Sequence, residues 1–436
     1  MILNANQKNV LALACPNATE RALVRAASNF SNSQLIAQTN NYRTDARAKI
    51  QALLTGQGPF VEPDLADVIA TSTVLHFYDG WSYLAEALKA SYRGEIGIAR
   101  HVAYYAELRA AMSILAASGI GVFDNRHVVI DAGGSIVAVP GKVPTHQMAW
   151  LALQEWGGLQ TSGVLLGEEI NAFGSTLNEW LREFQGTATF SLTGAEWISN
   201  WGLDLQQFSQ DRESRNEVSY RVNYNYVSPC KKPRELAPFI RDIWTNTEPG
   251  ASPFILLDQF LVRGALEKVY KAKVQTNLGK DYLERVAKTC RNLNAGIYTD
   301  FLCRKATVSD PEFLIFASKT SGVHDDFQYL EVISRAYLLL RVASAATNYL
   351  FRRSGLSLQD LEFWWKHTGT ASGLWSSVAP PDSPIELWDT IDMSLEDLNE
   401  WVSSGGNDCW FEVHKDLGAS INSLARIELG ALWGIA

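Results

Sequence analysis

Cysteine is sparse in this 436-residue sequence, and what there is of it is scattered. Cys15, Cys230, Cys290, Cys303 and Cys409 are odd in number and form no CxxC pair, which removes a disulfide framework and a zinc ribbon. Buried, reduced thiols in a cytosolic protein are the expectation. Charge is thin as well. With 19% charged residues against 47% apolar, the chain can build large cores and cannot be mostly disordered. The 38 Lys+Arg against 47 Asp+Glu leave a formal net charge of −9, which argues against broad, sequence-blind binding to nucleic acid. Long hydrophobic runs are missing too. Ala336–Phe351 is interrupted by Arg341 and Asn348 and is too short to span ~30 Å of hydrocarbon. No basic segment leads into an apolar core at the amino terminus, so a soluble, cytoplasmic protein without a membrane partner is expected.

The familiar catalytic signatures are also absent. There is no GxxxxGK[ST] loop, no GxSxG elbow, no HExxH and no GxGxxG after a strand. Gly119-Ile-Gly121 follows a helical pattern and therefore reads as its stop signal. ATP hydrolysis by this chain alone is not expected, and no cofactor is implied.

What is present is helical periodicity. Asn4–Leu54 reads as two or three short amphipathic helices, ended by the breaker Gly56-Gln57-Gly58-Pro59. Pro63–Ala90 and Ile96–Ala117 follow. In the second, Ile98, Val102, Tyr105, Leu108, Met112 and Leu115 step by three or four and define one stripe expected to be buried. Arg126–Asp131 and Ser135–Val139, joined by Ala132-Gly133-Gly134, predict one small β-hairpin. Helices resume over Thr145–Trp156 and Glu168–Glu183. The alternation Tyr220–Tyr226 suggests a strand or extended arm, and Pro229–Pro233 a linker. Beyond it, Pro253–Lys271, Tyr282–Leu302, Leu358–Lys366 (capped by Ser357), Leu395–Val402 (capped by Ser394) and Asp416–Trp433 read as helices. Within Phe327–Phe351 the polar residues Glu331, Ser334, Arg335, Arg341 and Asn348 fall within about 140° of arc, which predicts a central core helix. The expected architecture is mainly α: a multi-helix bundle with one small β-hairpin in two helical lobes. Its segments are residues 1–58, 59–228 and 234–436.

Three clusters carry possible chemistry. Arg100 and Glu107 share a helix face, and the turn after that helix returns Arg126 and His127 toward it. Arginines that hold a phosphate beside a histidine that moves a proton are what a metal-independent RNase needs, so these four are the candidate catalytic residues. The competing reading is a buried network that positions the hairpin. His324, Asp325 and Asp326 form a second set, able to take a divalent metal as in HD phosphohydrolases if His76, His101 or His146 supplied a further ligand. The plainer reading has Asp325 or Asp326 capping the helix that begins near Phe327. The third is aromatic: Phe363-Trp364-Trp365, Trp375, Trp388 and Trp401, set among Asp382, Glu386, Asp389, Asp392, Glu396 and Asp397. Stacked bases need a basic groove, so packing or a protein surface is the better reading.

The segments HFYDGWSYLAEAL (76–88), ARHVAYYAELRAAMSILAASGIGVFDNRHVVID (99–131) and THQMAWLALQEW (145–156) resemble uncharacterised bacterial YaaC-like and HEPN-like helical proteins. VISRAYLLLRVAS, followed by FWW and GLW, fits the same group, so about half the chain carries the likeness. The resemblance implies a helical fold and a place in bacterial conflict or anti-phage systems. HEPN ribonucleases carry an Arg a few residues before a His. Here Arg93 and His101 have seven residues between them, Arg126 and His127 none, and Lys319 and His324 four. The leading expectation is a partner-binding or scaffold subunit of a bacterial multi-protein system, with a protein partner or homo-oligomerisation. RNA or nucleotide cleavage is the alternative, and an HD-like phosphohydrolase the third.

Overall fold

Two long helices set the frame. A computed structural model of the chain describes residues 2–54, 62–185, 194, 196, 198, 231–250, 254–273, 279–304, 310–319, 328–405 and 407–434. It opens with α1 (Ala5–Leu11), α2 (Pro16–Ala27) and α3 (Ala46–Leu54). Asn4 and Gln7 exchange reciprocal side-chain bonds at 3.0 Å, which start α1, and Pro16 opens α2 where a missing N–H costs nothing. The long pair α4 (Glu62–Ser91) and α5 (Ile96–Ala117) runs antiparallel through a turn at Gly94, whose φ is +71°. Small residues along α5, among them Ala99, Ala103, Ala106 and Ala110, are fully buried and let the helices approach closely.

Gly119, at φ +86°, ends α5, and a strand starts at the next residue. The predicted hairpin is β2 (Arg126–Ile130) with β3 (Ile136–Ala138). A further strand, β1 (Ile120–Phe123), pairs antiparallel with β2, placing Ile120 opposite Val129 and Phe123 opposite Arg126. The sheet therefore has three strands where the sequence suggested two. The left-handed Asn125, φ 55°, makes the tight β1–β2 turn.

α6 (Thr145–Gly157) matches its expected span. The single helix predicted over Glu168–Glu183 does not form. Instead α7 (Gln160–Glu169) is followed by a small hairpin, β4 (Asn171–Ala172) with β5 (Ser175–Thr176), and by α8 (Leu177–Gln185). Phe173 and Gly174 both adopt positive φ, 56° and 80°, a pair of conformations no α-helix contains.

The rest of the described chain comprises α9 (Pro233–Thr245), α10 (Ile255–Lys273), α11 (Lys280–Asn292), α12 (Thr299–Cys303), α13 (Glu312–Ala317), α14 (Gln328–Arg353), α15 (Glu362–Ala371), α16 (Trp388–Ser403), α17 (Trp410–Leu424) and α18 (Leu429–Trp433). Two predicted helices are split. Tyr282–Leu302 breaks at left-handed Asn294, and Asp416–Trp433 breaks after Leu424. Ser357 stands at the start of a short 3₁₀ turn leading into α15, its backbone N–H and its hydroxyl both donating to Asp360 Oδ2, at 2.7 and 2.9 Å. Ser394 caps nothing: it lies inside α16, its hydroxyl donating to the Thr390 carbonyl at 2.7 Å. The start signal there is Ser383-Pro384, which begins a short 3₁₀ turn running into α16. The second predicted strand, Tyr220–Tyr226, lies outside the described residues.

α14 packs along both α5 and α4 and is buried on every side as far as Thr347. Contact with α4 is close at Gly80, where a Cβ would sit 2.8 Å from Leu340 Cδ2. The polar stripe of α14 is buried as well, except for half-buried Asn348. Ser334, Ser344 and Thr347 return their hydroxyls to carbonyls four residues back, and the two arginines pair with acids on other helices.

Candidate functional site

The four candidate catalytic residues are not brought together. Arg100, near the start of α5, donates from Nη1 to Gln328 Oε1 at the head of α14. Glu107 is fully buried, with Oε1 3.8 Å from Arg335 Nε on α14, and Glu331 lies 4.0 Å from Arg335 Nη1. Both α5 candidates therefore face α14.

Arg126 and His127 belong to β2, past the other end of α5. Half-buried Arg126 donates to Gln51 Oε1 at 3.0 Å. His127 is buried and donates from Nε2 to the Val143 carbonyl at 2.8 Å. Burial pushes its pKa down to about 4, which keeps the ring neutral. The expected convergence fails for a geometric reason. Glu107 lies ten residues before Ala117, about 15 Å at 1.5 Å per residue, and Arg100 lies farther still. The reading of His127 as a hairpin-positioning group matches its contacts.

An Arg–His contact does exist, between other residues. Arg109 Nη1 on α5 lies 2.9 Å from His76 Nδ1 on α4, and its Nε lies 3.5 Å from Asp79 Oδ2. Burial, and then the Arg109 charge, lowers the His76 pKa to about 3. A ring that accepts at Nδ1 from arginine carries its proton on Nε2. With so low a pKa it is a weak base at neutral pH, so the cluster orders Arg109 more readily than it moves protons. The Gly94 turn is the signal that could have found this pair, because an antiparallel return around residues 92–95 sets position 76 beside position 109.

A second group joins α5 to α6. The Tyr104 hydroxyl lies 3.1 Å from His146 Nδ1 and accepts from Trp150 Nε1 at 3.4 Å, while the His101 and Tyr105 rings are 5.2 Å apart. His324, Asp325 and Asp326 lie outside the described residues, as does the proposed cap of the long helix. Among the described residues, no three His, Cys, Asp or Glu side chains are grouped to hold a metal.

The carboxyl-terminal aromatics pack against one another. Trp365 meets Trp375 edge-on at 5.7 Å, Trp388 meets Trp433 at 5.7 Å, and Arg234 covers the Trp401 ring at 5.0 Å. Their neighbour α16 has a very different outer surface. Asp389, Asp392, Met393, Glu396 and Glu400 recur at i, i+3, i+4, i+7 and i+11, and all five are exposed. None of the four carboxylates has an ion pair or hydrogen bond among the described residues. The sequence placed the acids but not the methionine among them, because the α16 start was read seven residues late.

No protein-family model, curated protein or solved structure matches the chain. Among the described residues, no helix is long and apolar enough to cross a membrane.

Proposed function

We propose that this protein is a partner-binding, scaffold-type subunit of a bacterial multi-protein assembly, cytoplasmic, and that it meets its partner through the outer face of α16. The observation that carries this reading is the stripe of four unpaired carboxylates around Met393, which is 67% exposed. Like charges at i, i+4 spacing cost an isolated helix a few tenths of a kcal/mol per pair. That repulsion is relieved when a cationic surface docks, and the methionine gives such a surface an adaptable apolar anchor. A second copy of the same face would double the repulsion, so a basic, different chain fits better than self-association through α16. The resemblance noted above supports an assembly of the bacterial conflict type.

The alternative of RNA or nucleotide cleavage draws less support. Arg100 and Glu107 are engaged with α14 while Arg126 and His127 lie past the other end of α5, and the Arg109–His76 contact holds a histidine of low basicity. The test is comparative capture from the native host with the full chain and with the Asp392→Lys/Glu396→Lys variant. The proposal expects a specific basic protein with the parent and its loss with the folded variant. An unchanged set of captured proteins would overturn it.

A further inference from the structure

A cavity of about 460 Å³ opens where α2, the end of α5, α6, α7 and α14 meet. Its size lies within the ~300–1,000 Å³ range typical of small-molecule sites, well above what one or two waters need. The floor is apolar and buried: Trp156, Leu165, Ala346 and Leu350. The rim is exposed and polar, with Asn17 and Thr161 on it and the Tyr349 hydroxyl beside them.

Charge decides the class of ligand. Glu20 is the one ionisable carboxylate among the lining residues, and Arg353 neutralises it through a direct Nε to Oε1 contact. The same guanidinium donates to Asn17 Oδ1 at 3.2 Å and to the Tyr349 hydroxyl at 3.4 Å. All its directed bonds thus close the rim rather than face a ligand. An ion entering this cavity would lose its water with no opposite free charge to replace it. The Tyr349 hydroxyl proton has no acceptor among the described residues, so it can donate to a guest oxygen.

We infer that the cavity is a binding site for an uncharged, mostly apolar small molecule with one hydrogen-bonding end, held apolar end down on Trp156. Such a ligand would bridge the amino-terminal helices to α14. This site is independent of the α16 face and of any partner there.

The test uses the full chain and the neutral dye phenyl-naphthylamine, with octanol and octanoate as competitors. Val164→Trp and Thr161→Trp each add an indole at the exposed rim without touching the floor. The Val378→Trp variant, at a distant exposed position, is the control. Expected are saturable dye binding at one site per chain, displacement by octanol and not by octanoate, and at least about tenfold weaker binding in a rim variant that keeps its circular dichroism. The control binds like the parent. No saturable binding, or binding unchanged in both folded rim variants, would remove the site. Octanoate competing as well as octanol would remove the assignment to a neutral ligand.

Discussion

Asp258 and Arg341 form a buried, two-pronged ion pair, with Nε to Oδ1 at 2.9 Å and Nη2 to Oδ2 at 2.7 Å. The Asn171 backbone N–H donates to Asp258 Oδ2, and Arg341 Nη2 also reaches the Glu169 carbonyl, both at 2.9 Å. The pair therefore ties α10 and α14 to the small hairpin that replaces the expected helix over 168–183.

Breaking that pair from one side leaves a buried charge without its counterion. Asp258→Asn is expected to cost about 3–5 kcal/mol in chemical denaturation. The double variant Asp258→Leu/Arg341→Met should recover much of the loss. A single substitution costing under ~1 kcal/mol would show that water reaches the pair.

His127 should behave as a structural group. His127→Ala is expected to lower stability by about 2–4 kcal/mol through lost packing and an orphaned Val143 carbonyl. Its pKa is about 4 in the folded chain against 6.5 for the free side chain. Between those values the unfolded state binds the extra proton, so stability falls on acidification from pH 6.5 to 4, by up to about 3 kcal/mol. Unfolding curves across that window, compared with His127→Gln, give the His127 share.

Glu428 works with the opposite sign. It is 7% exposed, its Oε2 has no hydrogen-bond partner among the described residues, and burial raises its pKa from 4.5 to about 7. From pH 4.5 to 7 the folded state holds the proton that the unfolded state has released. Stability due to this group therefore falls as pH rises, by up to about 3 kcal/mol. Glu428→Gln should raise the melting temperature at pH 8 and leave it nearly unchanged at pH 4. Equal shifts at both values would argue against a titrating Glu428.

For His76, NMR titration of the ring should show a neutral imidazole down to about pH 4, with the proton on Nε2. Arg109→Ala removes the nearby positive charge and should move the midpoint upward, though not fully to 6.5, because burial is the larger cause.

The α16 face offers a stability test that needs no partner. Asp392→Lys/Glu396→Lys turns the like-charge pairs with Asp389 and with Glu400 into opposite-charge ones, while 392 and 396 remain alike, and should raise stability by about 0.5–1 kcal/mol. A variant that is more stable and yet captures less would separate binding from folding.

Much of the helical frame was legible from spacing alone. α5 and α6 match their expected spans, and Gly119 is the stop signal of α5, yet the α5 stripe read from the sequence is only partly buried: Ile98 is 54% exposed, and the close packing is made by Ala99, Ala103, Ala106 and Ala110 instead. What the sequence hid was mostly backbone conformation. Phe173 turns with positive φ, which its residue type does not advertise, and Ser394 has the chemistry of a cap without the position of one. The polar contacts were harder still. Arg335 and Arg341 look like a solvent-facing stripe until Glu107 and Asp258, far away in sequence, are placed opposite them. Arg126 and His127 were read as neighbours of Arg100 because a turn was assumed to fold back along α5, whereas β1 and β2 gather at its far end.

The position of α14 has a consequence for synthesis. The faces of α4 and α5 that it covers leave the ribosome about 240 residues earlier, which at ~5–20 residues per second is a wait of roughly 12–50 s. For that interval Gly80 and its neighbours form an open groove on a nascent chain. The amino-terminal helices must then be held by a chaperone or pair provisionally with other segments. A ribosome stalled before residue 328 should carry a chain that proteases cut readily and that binds apolar dyes, and one stalled after the end of α14 has cleared the exit tunnel should not.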